Sequence, residues 1–402
     1  MNADAPIDLG IPPPIPEDAR ERVLELLASG RLHRYRESSD TTGAAARLEV
    51  AFAQLIGARY AVATNSCGSA LYLALLGSGV QPGMPILMGA FTLAPVLGAI
   101  INAGGRPVPV EITEDLVIDL DDLADKAAAT GARHLLVSYM RGHVGDLDRL
   151  TARCDELGLS LIEDCAHSLG ATWADRPTGA FGLAGCFSFQ SWKHVNAGEG
   201  GILVTSDADL AAQAILHSGS YMLYRQNGTC PPEAVMNRWR NRCANFSLRL
   251  SELAAELALA QLADMPARAR DWNASHDRIA AGLAAADGFA LPHRPQAEHY
   301  VQSSLQFRLP NFAPPQMAAF TAECRRRGTF VKWFGVTEAE GYTSSPQHWT
   351  DLPGAPTAPE TQRILDTLCD IRLPLGLTPE ECDRIIAALA AARAAVLAGE
   401  AR

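Results

Sequence analysis

Between residues 60 and 205 the chain alternates short, almost wholly apolar runs with segments of helix length, and this alternation constrains the fold most. The runs are Tyr60–Thr64, Pro85–Met88, Pro107–Glu111, His134–Tyr139, Leu159–Glu163, Cys186–Phe189 and Ile202–Thr205. Segments such as Ser69–Leu76, Ala94–Ala103 and Asp148–Leu157 separate most of them. Apolar runs without polar alternation suit strands buried on both faces, and strands separated by helices imply βαβ units. The expectation is an α/β fold: a mostly parallel seven-stranded sheet flanked by helices. Ligands of such sheets bind beyond the carboxyl ends of the strands, so chemistry is expected just after each run.

Other segments frame this core. Serial prolines across Ile11–Pro16 forbid helix and predict an extended arm. Helices are expected over Pro16–Ser29 and Ala44–Ile56, ended by Gly30 and Gly57. Tyr221–Asn245 is irregular and polar and reads as a long surface loop. A helix over Ser251–Leu262, with Ser251 as its N-cap, leads to a smaller C-terminal α+β domain. That domain combines a strand, Ser303–Leu309, with helices at Pro315–Arg327 and Thr378–Leu397, the last opened by the Thr378/Glu381 capping box. The division expected is an arm (1–20), a large domain (21–265) and a small domain (266–402).

A formal charge of −11 with no Lys/Arg block disfavours nucleic acid or an anionic membrane as partner. The long uncharged stretch Tyr60–Gly105 is broken by Asn65, Gln81, Pro82 and Pro95, which reads as buried core and not as a membrane span. The nine cysteines stand singly, with no C-x-x-C, arguing against a disulfide framework or a zinc site. With no signal-peptide pattern at the N-terminus, the cytoplasm is the expected compartment.

Four polar clusters fall at run ends. Thr64-Asn65-Ser66-Cys67-Gly68-Ser69 opens a helix, where small residues and the helix dipole suit a phosphate; the same pattern also makes ordinary turns. Glu163-Asp164-Cys165-Ala166-His167 ends a strand, and its carboxylate could serve a metal, a ribose hydroxyl or a protonated ring nitrogen. Ser188-Phe189-Gln190-Ser191-Trp192-Lys193-His194 is followed by Gly198-Glu199-Gly200-Gly201. An amine in apolar surroundings loses pKa and becomes a nucleophile for an aldehyde. Asn245 and Arg249 precede the helix of the second half and are candidates to reach an anion.

Taken together and in order, these clusters, with Phe91-Thr92, Gly170-Ala171, Arg249-Leu250-Ser251-Glu252-Leu253 and Leu373-Pro374-Leu375, resemble the DegT–DnrJ–StrS sugar aminotransferases, a branch of the fold-type I pyridoxal-phosphate (PLP) enzymes. The resemblance covers nearly the whole chain. It implies that Lys193 carries PLP as a Schiff base and shuttles protons, and that Asp164 pairs with the pyridinium nitrogen. It further implies that His167 touches the phenolic oxygen and that Ala166 lets the ring lie close to the backbone. Cys67, Gly68 and Ser69 would hold the phosphate with help from Ser188, and Asn245 would reach the phosphate of a neighbouring subunit's cofactor in a homodimer.

The chain also departs from the commoner pattern. Gly68 stands where many members have Thr, and Leu93 stands where an aromatic usually stacks on the ring, leaving Phe91 as its substitute. Ser247 occupies the usual place of the asparagine, and Met140-Arg141-Gly142-His143 follows the fourth strand. The resemblance implies an aminotransferase using Glu or Gln and a keto-sugar or cyclitol acceptor. Its alternatives are a deoxysugar dehydratase, in which His replaces the lysine and His194 would be that residue, or a non-catalytic PLP- or sugar-binding regulator. Aromatic and basic residues from Val331 through Trp349 are candidates to line the acceptor pocket.

Overall fold

The computed structural model describes residues 7–35, 42–339, 341–349 and 357–400; residues 1–6 of the expected arm lie outside them. Seven strands form the central sheet in the order 60–64, 201–205, 184–188, 160–164, 134–138, 85–89, 106–110. Only Gly201–Thr205 runs against its neighbours; the other pairings are parallel.

Side chains alternate across this sheet with the strand period of two. Val62, Ile86, Met88, Leu136 and Ile162 pack beneath the helices Cys67–Gly77, Ala94–Asn102 and Ala208–Ser218. Ala61, Ala63, Leu87, Leu135, Val137 and Leu161 face the other way, towards Ala44–Ile56, Leu120–Thr130 and Leu147–Leu157. Apolar area leaves water on both faces, which explains why the runs carry no polar alternation.

The glycine-rich return is steric in origin. A Cβ on Gly201 would lie 2.4 Å from both the amide nitrogen of Cys67 and the carbonyl carbon of Ser66. The antiparallel strand can therefore start directly against the first turn of Cys67–Gly77 only as glycine. That helix begins two residues before the expected Ser69, because Ser66 Oγ accepts the Ser69 N–H at 3.0 Å and so caps it.

The C-terminal part is α+β. Ser304–Arg308, Leu368–Arg372 and Lys332–Trp333 form an antiparallel sheet covered by Met265–Ala284, Pro314–Arg326 and Pro379–Glu400. The Thr378/Glu381 capping box forms with both bonds, 2.9 and 3.2 Å. Residues 11–16 are extended, and the arm is pinned by Asn196 and Arg268, which donate to the carbonyls of Pro13 and Pro14.

The segment 221–245 is not a loop throughout. Glu233–Trp239 is helical, with Met236 fully buried and Trp239 Nε1 donating to Asp209 at 2.6 Å. A seven-residue helix has too little hydrogen bonding to stand alone. Its docking onto Ala208–Ser218 stabilises it, and that contact is invisible in local pattern.

Candidate active site

The carboxyl ends of three neighbouring strands deliver Ser138, Asp164 and Ser188 to one place, and the N-terminus of Cys67–Gly77 faces it. Between them lies a cavity of about 430 Å³ lined by Cys67, Gly68, Asp164, His167, Ser188 and Lys193, among others. Glu163 and Asp164, adjacent in sequence, point to opposite faces. Glu163 is fully buried and accepts from Tyr139 Oη and the amides of Gly179, Phe181 and Gly182 at 2.7–2.8 Å, so it organises the 179–182 turn. Asp164 turns into the cavity.

There Asp164 Oδ1 accepts the Ala166 N–H at 3.1 Å, with Cys67 Sγ 3.8 Å away. Its Oδ2 accepts Ser138 Oγ–H at 2.9 Å, and Thr92 Oγ1 in turn lies 2.6 Å from Ser138 Oγ. Burial raises the pKa of this carboxyl despite those donors. A desolvated carboxylate of this kind is stabilised most by a nearby cation.

Lys193 follows the strand Ala184–Ser188 in a turn closed by its own N–H to the Gln190 carbonyl at 2.8 Å. Its Nζ lies 2.6 Å from His167 Nε2. Burial, then the charge of Arg141, push the amine down to about 8, opposed by Asp164. His167 is held well below the usual histidine range, first by burial and then by Lys193. Its neutral ring can accept from the ammonium. His194 turns away from the cavity and packs against Trp272 at 5.2 Å, where burial lowers it to about 3.

Residues 14–390 match the DegT/DnrJ/EryC1/StrS aminotransferase family. The chain belongs to that family. It is 33% identical over 223 residues to the spore coat polysaccharide biosynthesis protein SpsC of Bacillus subtilis, a match covering 54% of this chain and 55% of that one. It thus spans about half the length of that curated relative. Solved structures share the fold at lower identity. The sugar aminotransferase Spr1654 of Streptococcus pneumoniae, described as putative and in its pyridoxamine form, aligns with a TM-score of 0.82 at 21% identity, over 96% of this chain and 99% of that one. 3-Amino-5-hydroxybenzoic acid synthase aligns with a TM-score of 0.80 at 23% identity, over 96% and 100%.

The DegT/DnrJ/EryC1/StrS aminotransferases depend on PLP, and the residues of this cavity fit that group. A carboxylate whose pKa is raised by burial suits a pyridinium nitrogen, whose charge it would stabilise. A lysine brought down to about 8 suits an aldehyde. The opening of Cys67–Gly77, with glycine at 68, suits a phosphate. Among the described residues, no group of three or more His, Cys, Asp or Glu is arranged to hold a metal.

Not every residue singled out in the sequence lies here. Ser69 Oγ is turned to Asn65 Oδ1 at 2.6 Å and to Ser66 Oγ at 2.9 Å, its N–H donates to Ser66 Oγ at 3.0 Å, and the residue does not line the cavity. Phe91, expected to stand in for the stacking aromatic, is buried edge-on against Phe334 at 5.0 Å, and Leu93 lines the cavity in its place. The shift follows from register: Phe91 is drawn into an apolar cluster with Ile112, Leu116 and Met140. Asn245 sits on an exposed turn, accepting from Ser247 N at 2.8 Å, outside this chain's cavity. In the 331–349 segment, Trp333 donates to the Asp366 carbonyl and Trp349 is core, whereas Lys332 and Tyr342 face a second cavity of about 650 Å³. The two cavities share Trp192, Gly341, Tyr342 and Arg372 as walls.

Sequence reasoning missed Ser138 and Arg372 as site residues, and reached Tyr342 only as one of the aromatics between Val331 and Trp349. Ser138 was visible only as the next-to-last residue of the apolar run His134–Tyr139. Arg372 ends a strand of the C-terminal antiparallel sheet and Tyr342 follows Lys332–Trp333, and nothing local marks Arg372. Arg141 carried one signal, the Met140-Arg141-Gly142-His143 departure after the fourth strand.

Proposed function

We propose that this chain is a PLP-dependent aminotransferase that moves an amino group from glutamate or glutamine to a ketone on a nucleotide-linked sugar or a cyclitol. One observation carries this reading: the Lys193 amine, brought down to about 8, faces the same cavity as Asp164 and lies against a neutral His167. When bound, the cofactor supplies an electron sink for the carbon that loses a proton. Asp164 keeps the ring nitrogen protonated, helped by Ser138, which fixes its second oxygen. Lys193 Nζ would hold the cofactor by its aldehyde and would carry the proton exchanged at the amino-bearing carbon. His167 orients that amine and donates to the phenolic oxygen. The N-terminus of Cys67–Gly77, with Ser188, holds the phosphate.

A dehydratase needs a histidine in the lysine's place. The orientation of His194 towards Trp272 supports Lys193 as the working residue. Sugar or cyclitol amination suits natural-product, antibiotic or surface-glycan biosynthesis. Nine free thiols support a reducing, cytoplasmic setting. The exposed Tyr221, Met222 and Phe246 near Asn245 support a homodimer in which Asn245 reaches the partner's cofactor. The test is to mix the PLP-loaded protein with glutamate or glutamine and a panel of keto-sugars and cyclitols. Loss of the cofactor's visible absorption with the donor, then appearance of an aminated product by mass spectrometry, is expected. A spectrum unchanged by either donor overturns the reading.

A further inference from the structure

Arg141 is the largest charge acting on Lys193, and the cofactor roles above do not use it. It occupies a left-handed backbone position (φ 57°), rare for a residue with a side chain, in the turn Met140–Gly142. Its side chain is 7% exposed. A chain of contacts holds it: Nη2 lies 3.1 Å from Asp370 Oδ2 and also meets Tyr342 Oη. Asp370 Oδ1 accepts from Gln306 Nε2 at 2.7 Å, and Gln306 Oε1 accepts from His143 Nε2 at 2.8 Å. Yet Arg141 Nε, buried in the wall of the cavity, has no hydrogen-bond partner among the described residues. Leaving a charged donor buried and unpaired is costly, so the Nε edge calls for an acceptor.

The charge around it points the same way. Arg372, stacked over Trp192 at 5.2 Å, lines the same cavity, so two guanidinium groups share the single carboxylate of Asp370. The cluster carries excess positive charge beside the reacting amine. The phosphate end of the cofactor belongs to the helix N-terminus at 67–68 and does not answer it. A carboxylate bonded to the carbon that bears the exchanged nitrogen does, because it sits one carbon away from where Lys193 reacts. A planar carboxylate also matches the flat edge of a guanidinium better than a neutral sugar hydroxyl does.

We propose that Arg141, supported by Arg372, receives the α-carboxylate of the amino donor and so selects α-amino acids over simple amines. This rests on the aminotransferase reading and deepens it. The network through Asp370, Gln306 and His143 serves to hold Arg141 in position.

The test uses PLP-loaded protein and two probes. α-Methyl-L-glutamate keeps the carboxylate but lacks the hydrogen to be removed, and 4-aminobutyrate lacks the α-carboxylate. Calorimetric titration of the wild type is expected to favour α-methylglutamate about 30-fold, from one charge-assisted pair. Arg141→Gln should erase that preference by weakening α-methylglutamate alone, with the visible absorption of the bound cofactor retained. Equal affinities in the wild type, or equal losses for both probes in the variant, overturn the assignment. Should Arg141→Gln fail to hold cofactor, Arg372→Gln, which keeps the Asp370 pair, is expected to narrow the preference, and an unchanged preference there overturns it. A wild type whose absorption is untouched by glutamate and glutamine defeats the aminotransferase reading itself, and this inference with it.

Discussion

Glu163 and Asp164 are neighbours in one strand, yet one carboxylate is spent on four donors of its own fold and the other is turned into the cavity. Their substitutions should therefore separate stability from chemistry. Glu163→Gln places an amide NH₂ against N–H donors and is expected to cost about 2–3 kcal/mol in denaturant unfolding, with turnover per folded molecule largely kept. Asp164→Asn should unfold almost as the wild type does and lose roughly 10²-fold or more in rate, since the ring nitrogen no longer stays protonated. Similar unfolding costs for the two variants would contradict this division of labour.

Lys193→Ala should abolish covalent attachment of the cofactor and lower turnover by about 10³-fold or more, because both nucleophile and proton carrier are lost. Borohydride treatment followed by mass spectrometry checks the attachment. A stable cofactor adduct in the variant would place the reactive amine elsewhere.

The lowered pKa of Lys193 has a stability consequence in cofactor-free protein. Its native value is about 8, below the ordinary 10.5. Between those values the unfolded chain binds more protons than the native one, so the Lys193 contribution to unfolding free energy rises with pH through that window. Below about 8 both states are protonated and its contribution is flat at its least favourable level. Lys193→Met should remove the rise. Denaturant unfolding of both proteins at about pH 7.5, 9 and 10 reads the difference, and parallel curves would show that the amine is not perturbed.

Gly201→Ala tests the close approach of the antiparallel strand to the helix start. The added methyl would meet backbone at 2.4 Å, and backbone cannot rotate away. A loss of about 2–4 kcal/mol is expected, with weaker cofactor retention because Ser66–Gly68 must shift. Wild-type stability and cofactor affinity in this variant would refute the steric argument.

Much of this site was legible because parallel strands write themselves locally. The run Leu159–Glu163 announced a buried strand, and the strand period of two puts the next residue, Asp164, on the face opposite Glu163. The Lys193 turn with its glycine return was equally readable, since 201 tolerates no side chain. The helix Glu233–Trp239 and the position of Phe91 were not readable, because each depends on a partner distant in sequence: Asp209 for the first and Phe334 for the second.

The sequence by itself determined the order of strands and helices along the chain and the placing of Asp164 at the end of one strand and Lys193 in the turn after another. Both follow from hydrophobic period and backbone sterics, which act over a few residues. Only the tertiary structure decided that Arg141, Tyr342, Asp370 and Arg372 converge on that lysine, that Leu93 and not Phe91 borders the cavity, and that His194 faces the core. Those outcomes depend on how the C-terminal sheet and its flanking segments pack against the ends of the strands, and long-range packing and desolvation leave no periodic mark in the chain.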